Sequence, residues 1–132
     1  MKEGSGVIQQ ASDIVLACGD RLAVLAGDDA MTLPMMAVGG RGVITVTANI
    51  APTEMANMVK AFAAGNLEEA RRIHFQLSPL FAALFYETNP IPVKEALGMM
   101  GKIDPELRLP LCSMGKDNRD KLMQVMKESR FI

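Results

Sequence analysis

The segment GVITVTAN at residues 42–49 constrains the fold of this chain more than any other feature. Residues 43–47 within it are rich in β-branched residues, which favour buried strands, so we predict a strand over 43–47. An earlier short apolar run at residues 22–26 is bounded by turn residues, which is the pattern of a strand covered on both faces. The two predicted strands are separated by the length of a helical crossover, so we predict that they pair in parallel.

Polar or glycine residues follow these strands, at the ends where chemistry is usually found. GDD at residues 27–29 comes directly after the first strand, and the second strand runs into Asn49. Lys2 and Glu3 stand at the start of the chain in a similar setting before a helix. Parallel barrels build their active sites from such loops, so we predict part of a barrel and expect the chain to begin in mid-barrel.

Helices account for most of the remaining sequence. Met55, Met58, Val59 and Phe62 follow the i, i+3, i+4, i+7 spacing of one helical face. Pro79 predicts a bend inside a longer helix. Similar apolar spacing and stop residues predict helices at residues 7–18, 30–38, 52–64, 67–85, 93–100 and 117–129.

Composition argues against several classes of partner. The 132 residues are 49% hydrophobic, which suits one compact unit. The formal net charge is -1 and the basic residues are scattered among acidic ones, so we expect no nucleic-acid partner. No apolar run approaches the about 20 residues of a membrane span, so we expect no membrane partner and a cytoplasmic location. Cys18 and Cys112 match no metal-ligand spacing, and we expect free thiols with neither metal nor cofactor.

Some residues invite a functional interpretation that their context does not favour. The glycine cluster at residues 39–42 precedes a strand, whereas a phosphate-binding loop opens a helix. Asp28 and Asp29 stand just before a helix, where an aspartate is more often a cap than a catalytic acid. His74 lies among helical residues without a catalytic or metal motif, so we assign it no role.

Several motifs occur together in one order along the chain. They are KEGSG at 2–6, GDD at 27–29, GVITVTAN at 42–49, EAR at 69–71, NPIPVK at 89–94 and LRLPL at 107–111. The set resembles the C-terminal half of the dihydrodipicolinate synthase (4-hydroxy-tetrahydrodipicolinate synthase) family, in the pyruvate-dependent class I aldolase superfamily. The similarity covers essentially the whole chain, and GVITVTAN together with NPIPVK makes it specific.

The resemblance implies a fold and an assembly. The fold is α/β, the C-terminal part of a (β/α)8 TIM barrel followed by a C-terminal helical region. Residues 1–65 would form the partial barrel, from the end of strand six to helix eight, and residues 66–132 the helical region. Members of the family usually assemble as homo-tetramers.

The resemblance also implies three site residues. Lys2 matches the Schiff-base lysine at the tip of strand six, and we take it as the catalytic residue. Gly27 and Ile44 match substrate-binding positions at the ends of strands seven and eight, with Ile44 acting through its backbone. On sequence alone, Lys2 is an exposed terminal lysine and Ile44 a core strand residue, so both roles rest on the resemblance.

The implied activity is the condensation of pyruvate with aspartate semialdehyde in lysine and diaminopimelate synthesis. An alternative is a sister enzyme on the same scaffold, N-acetylneuraminate lyase or a keto-deoxy-sugar-acid aldolase. A third alternative is a non-catalytic helical association module. We expect the chain to be a truncated form, inactive or weakly active alone, because the family's carboxylate-binding threonines and proton-relay tyrosine lie on the first five strands.

Overall fold

The computed structural model describes all residues from Met1 to Ile132. One short strand comes before the first helix and a second lies between the first and second helices. Only helices and turns follow. The strands are β1 (Lys2–Glu3) and β2 (Leu25–Ala26). The helices are α1 (Ile8–Cys18), α2 (Thr32–Ala37), α3 (Pro52–Ala63), α4 (Leu67–Ala83), α5 (Ile91–Met99) and α6 (Lys116–Glu128), with 3-10 turns at Gly19–Arg21 and Thr47–Asn49. None of the helices combines the length and the apolar character that crossing a membrane requires.

The chain divides into two compact units. The first comprises Met1–Thr45 and Thr53–His74, and the second comprises Val46–Pro52 and Phe75–Ile132. The first unit contains both strands with α1, α2 and α3, and the second contains α5 and α6.

The sheet in the first unit is parallel. Lys2 lies opposite Leu25, and Glu3 lies opposite Ala26. On the other side of β2, Ala26 forms a parallel bridge with Val43, so three neighbouring extended segments run in the same direction. The C-terminal ends of all three segments therefore meet at one edge of the sheet.

The two faces of this sheet differ in what covers them. Ala26 is fully buried together with Val24, Ala11 of α1 and Met35 of α2, and Val43 packs against that cluster. Side chains alternate between the faces along a strand. Helices α1 and α2 therefore cover one face, and Lys2, Leu25, Gly27 and Ile44 belong to the other.

The prediction of a strand at residues 43–47 is wrong for all of these residues except Val43. Only Val43 forms a bridge, and the backbone at Val46 already has helical angles, φ -79° and ψ -41°. The Asn49 side chain donates a hydrogen bond to the Val46 carbonyl at 2.8 Å and closes this turn. The β-branched run favoured a strand, but a strand also needs a hydrogen-bonded neighbour, and the segment is paired only at its start.

The cap predicted from the aspartates is also placed differently. Helix α2 begins at Thr32, and its N-cap residue is Met31, whose side chain makes no capping hydrogen bond. Asp28 accepts a hydrogen bond from the Ala30 N–H at 2.9 Å, and this bond closes the turn before the helix. Asp29 is buried, and its carbonyl accepts the Thr32 hydroxyl at 2.7 Å. Asp28 thus organises the loop after β2 through its short side chain, which reaches a nearby backbone donor, and Asp29 does so through its backbone carbonyl.

The second unit is held together by apolar residues and by polar contacts between helices. Arg119 of α6 pairs with Glu95 of α5, with 2.6 Å between guanidinium and carboxylate. Glu87, in the loop after α4, accepts hydrogen bonds from the Gly115 N–H at 2.9 Å and the Asn118 amide at 3.0 Å. Its carboxylate therefore caps the beginning of α6 from 28 residues earlier in the chain. The buried residues of this unit include Leu77, Leu80, Leu84, Val93, Ala96, Leu122 and Met126.

Replacing Glu87 by alanine should lower the free energy of unfolding by about 1 kcal/mol, because α6 loses its N-terminal acceptor. Glu87→Gln keeps one acceptor oxygen and should lose less. Urea unfolding followed by circular dichroism measures both. Glu106→Ala, which removes an exposed loop carboxylate, is the matched control and should leave stability nearly unchanged. Equal stability of Glu87→Ala and Glu106→Ala would contradict the capping role.

Candidate functional site

Lys2 lies in β1 at the edge where the parallel strands end. Its side chain is exposed, and it runs alongside Gly27, the residue that follows β2. The Lys2 Cε atom lies 2.9 Å from the position that a Cβ on residue 27 would occupy. The amine-bearing chain therefore passes over a glycine backbone on the neighbouring strand.

Gly27 is confined by backbone as well as by the lysine. A Cβ at this position would lie 2.8 Å from the Glu3 carbonyl oxygen and 2.9 Å from the Gly4 Cα. The Gly27 N–H donates a hydrogen bond to the same Glu3 carbonyl at 2.5 Å. Any larger residue would push β1 away from β2, so the close approach of the two strands requires glycine here.

Ile44 stands one strand further along the same edge. Its N–H donates to the Ala26 carbonyl at 2.8 Å, which fixes its backbone beside the end of β2. Its side chain is 47% exposed, so Ile44 is not the core residue that its β-branched context favours. Because Val43 is bridged to Ala26, Ile44 comes level with Gly27 on the neighbouring strand, and Lys2 lies on the far side of β2, opposite Leu25.

The sheet edge thus brings the three predicted site residues together on one face. Lys2 contributes an amine, Gly27 leaves space beside it, and Ile44 contributes a backbone carbonyl, since its N–H already bonds to Ala26. No cluster of three or more His, Cys, Asp or Glu side chains in the molecule is arranged to hold a metal ion. The reactive group of this arrangement is a primary amine.

Glu3 is a functional candidate that the sequence reasoning did not single out. It is 4% exposed, and its carboxylate accepts hydrogen bonds from the Ser5 N–H at 2.8 Å and from Gln10 of α1 at 3.2 Å. Hydrogen bonds from Ser5 lower the pKa of Glu3, outweighing the opposite effect of burial. The burial of Glu3 could have been predicted from the sequence. Side chains alternate between the two faces along a strand, so the residue after Lys2 points to the opposite, helix-covered face.

His74, in contrast, lies on α4 and takes no part in this edge. Burial lowers the pKa of its imidazole, which favours the neutral form. Cys18 lies at the end of α1 and Cys112 in the loop before α6, and both are free thiols.

Comparison with known proteins relates this arrangement to one family. The model of the dihydrodipicolinate synthetase family matches residues 1–129. A 4-hydroxy-tetrahydrodipicolinate synthase of Geobacter sp. strain M21 is 53% identical over 132 residues, all of this chain and 46% of the relative. A synthase of the same name from Thermodesulfovibrio yellowstonii is 49% identical over all of this chain and 45% of the relative.

Solved structures give the same result. The crystal structure of dihydrodipicolinate synthase from Aquifex aeolicus superposes with a TM-score of 0.96 at 45% identity, over 98% of this chain and 44% of that one. The enzyme from Thermotoga maritima gives a TM-score of 0.95 at 41% identity, over 99% of this chain and 45% of that one.

The chain spans about half the length of the curated relatives it matches, 46% in the Geobacter protein. The resemblance predicted from the motifs is confirmed, because both the family model and these relatives match along nearly the whole sequence. This chain belongs to the dihydrodipicolinate synthetase family.

Proposed function

We propose that this chain forms the part of a 4-hydroxy-tetrahydrodipicolinate synthase that carries the Schiff-base lysine, Lys2. The enzyme would condense pyruvate with aspartate semialdehyde in lysine and diaminopimelate biosynthesis. The observation that carries the proposal is the position of the Lys2 Cε atom, 2.9 Å from where a Cβ on Gly27 would stand, at the C-terminal edge of a parallel sheet. The names of the relatives support this enzyme over the sister lyases and aldolases.

The chemistry follows from the residue type. The neutral Lys2 amine attacks the ketone carbon of pyruvate, and loss of water leaves an iminium ion. The iminium withdraws electrons, so the methyl carbon of pyruvate can lose a proton. Loss of this proton converts the iminium ion into an enamine. The enamine carbon then attacks the aldehyde carbon of aspartate semialdehyde, whose oxygen takes up a proton to become the hydroxyl, and the iminium bond to Lys2 is restored. Attack of the substrate's own amine on the iminium carbon closes the ring and releases the Lys2 amine, so the only water lost is the one that left when the first imine formed.

Gly27 and Ile44 would bind the substrate around this amine. A glycine at residue 27 lets a small ketoacid approach both the Lys2 amine and the backbone of β2. Ile44 would contact bound pyruvate through its backbone, whose position is fixed by the bond from its N–H to Ala26. Such a role depends on the path of the chain more than on the isoleucine side chain.

The site fits the C-terminal part of a (β/α)8 barrel. We infer that residues 1–65 form the partial barrel, from the end of strand six to helix eight, and residues 66–132 the helical region. TM-scores of 0.95 and 0.96 to two enzymes of the family support this assignment. A homo-tetramer in the cytoplasm is the proposed assembly and location.

The 132-residue chain alone should condense its substrates slowly or not at all. In the family, the residues that position the pyruvate carboxylate and relay protons are expected on the first five strands. This chain matches its relatives only beyond those strands. Losing each such contribution costs orders of magnitude in rate. Imine formation needs only the amine and pyruvate, so it is the step to measure in this chain.

Treatment of the chain with pyruvate and sodium borohydride should reduce the imine and attach a stable adduct to Lys2, since borohydride reduces iminium ions. Peptide mass spectrometry locates the adduct. The α-amine of Met1 is a second primary amine close in sequence to Lys2 and can compete for pyruvate. Fragment ions separate the two sites.

Two variants control this measurement. Lys2→Ala should abolish the lysine adduct and reveal any reaction at Met1, whereas Lys60→Ala removes an exposed lysine of α3 and should change nothing. An adduct distributed equally over Lys2, Lys60 and the other lysines would contradict the proposed function, because it would show no special reactivity of the lysine at the sheet edge.

Gly27→Ala should slow adduct formation at Lys2 by about tenfold or more, because the new methyl group would occupy the path of the lysine side chain. Gly4→Ala is the matched control, since a Cβ there would meet only the Gly27 Cα, at an ordinary 4.0 Å. Rates are compared per folded molecule, with folding checked by circular dichroism. A wild-type rate in Gly27→Ala would show that this close approach does not matter for the reaction.

A further inference from the structure

The carboxylate of Glu3 is an unusual feature next to the proposed reactive lysine. Acidic side chains are rarely buried unless they are paired or hydrogen-bonded. Glu3 is 4% exposed and makes none of the ion pairs that the structure contains. Burying a charged group without a counter-ion opposes folding, so the hydrogen bonds that Glu3 accepts have to offset this cost.

Two donors from different parts of the first unit meet at one oxygen of Glu3. The Ser5 N–H belongs to the loop that leaves β1, and the Gln10 amide belongs to the first turns of α1. Ser5 also accepts the Val7 N–H through its hydroxyl at 3.1 Å. The Glu3 carboxylate therefore ties the end of β1 to the loop and helix that follow it.

The backbone of Glu3 connects this network to the candidate site. Its carbonyl accepts the Gly27 N–H at 2.5 Å, and the same oxygen is the nearest atom to a Cβ built on Gly27. The Glu3 side chain thus connects β1 to α1, and the Glu3 carbonyl connects β1 to the residue after β2. Lys2, directly before it, projects toward the opposite face of the sheet.

We propose that Glu3 is a positioning residue, whose buried carboxylate fixes the end of β1 and thereby holds the Lys2 side chain against Gly27. The carboxylate does not contact substrate, and it acts on the lysine through one peptide unit. Hydrogen bonds that lower the pKa of Glu3 keep its ionised, acceptor-only form, which suits donors arriving from two directions. This inference rests on the proposed function of Lys2 for its consequence in catalysis.

Amide hydrogen exchange tests the positioning without any substrate. Glu3→Ala should speed exchange at the Gly27 N–H by about tenfold, because its acceptor on β1 becomes mobile. The Ala26 N–H is an internal control, since it donates to the Gly42 carbonyl at 2.8 Å on the opposite side of β2 and should be unaffected. Glu3→Gln, which keeps an acceptor oxygen, should restore most of the protection.

A milder pair of variants guards against simple unfolding. Gln10→Ala removes one donor to Glu3 from an exposed position on α1 and should speed Gly27 exchange by a smaller factor. Gln9→Ala is its matched control, because Gln9 bonds to Asp13 at 2.8 Å within the same helix. If Glu3→Ala does not fold, protection of Gly27 in Gln10→Ala relative to Gln9→Ala decides the question, and equal protection would overturn the proposal.

The rate of adduct formation at Lys2 with pyruvate and borohydride separates positioning of the amine from general stability. Per folded molecule, Glu3→Ala should react about tenfold more slowly than the unaltered chain, and Glu3→Gln should recover most of the rate. An unchanged rate in Glu3→Ala would overturn the positioning of Lys2. If the unaltered chain forms no adduct at Lys2, the proposed function fails, whereas the exchange of Gly27 still decides whether Glu3 holds the strand end.

Discussion

The parallel pairing of β1 with β2 is the constraint on which the candidate site depends. Its register sets Lys2 opposite Leu25 and Glu3 opposite Ala26, so Gly27, the residue after β2, comes level with Gly4, the residue after β1. A slip of one residue would turn Lys2 toward the helices and Glu3 toward the open edge. The absence of a side chain at Gly27 then lets the two strands approach closely enough for the lysine to lie across the backbone.

The helix-covered face and the open face have separate roles in this arrangement. Ala26, Val24 and their partners on α1 and α2 supply the apolar burial that holds the first unit together. The open face does not pack against these helices. It carries Lys2, Gly27 and the half-exposed Ile44. Glu3 belongs to the covered face and yet bears directly on the open one, because its own peptide group bonds to Gly27.

Much of the helical structure was predictable from local patterns. All six predicted helices have counterparts, with ends that differ by two residues or fewer, because apolar spacing and the stopping residues glycine and proline act locally. Strand 43–47 was predicted wrongly, because β-branched composition says nothing of how far a neighbour continues. The three site residues were identified by resemblance, since a terminal lysine, a turn glycine and an isoleucine carry no chemical signal of their own.

The sequence by itself determined the α/β class, the order of the elements and the family, since these follow from local propensity and from motifs in fixed order. Only the tertiary structure decided how strands that are distant in sequence pair. That pairing brings Lys2 against Gly27, 25 positions later in the chain, and buries Glu3. The reason is physical: hydrogen-bond register and the packing of helices onto one face are properties of the assembled sheet, and no single segment contains them.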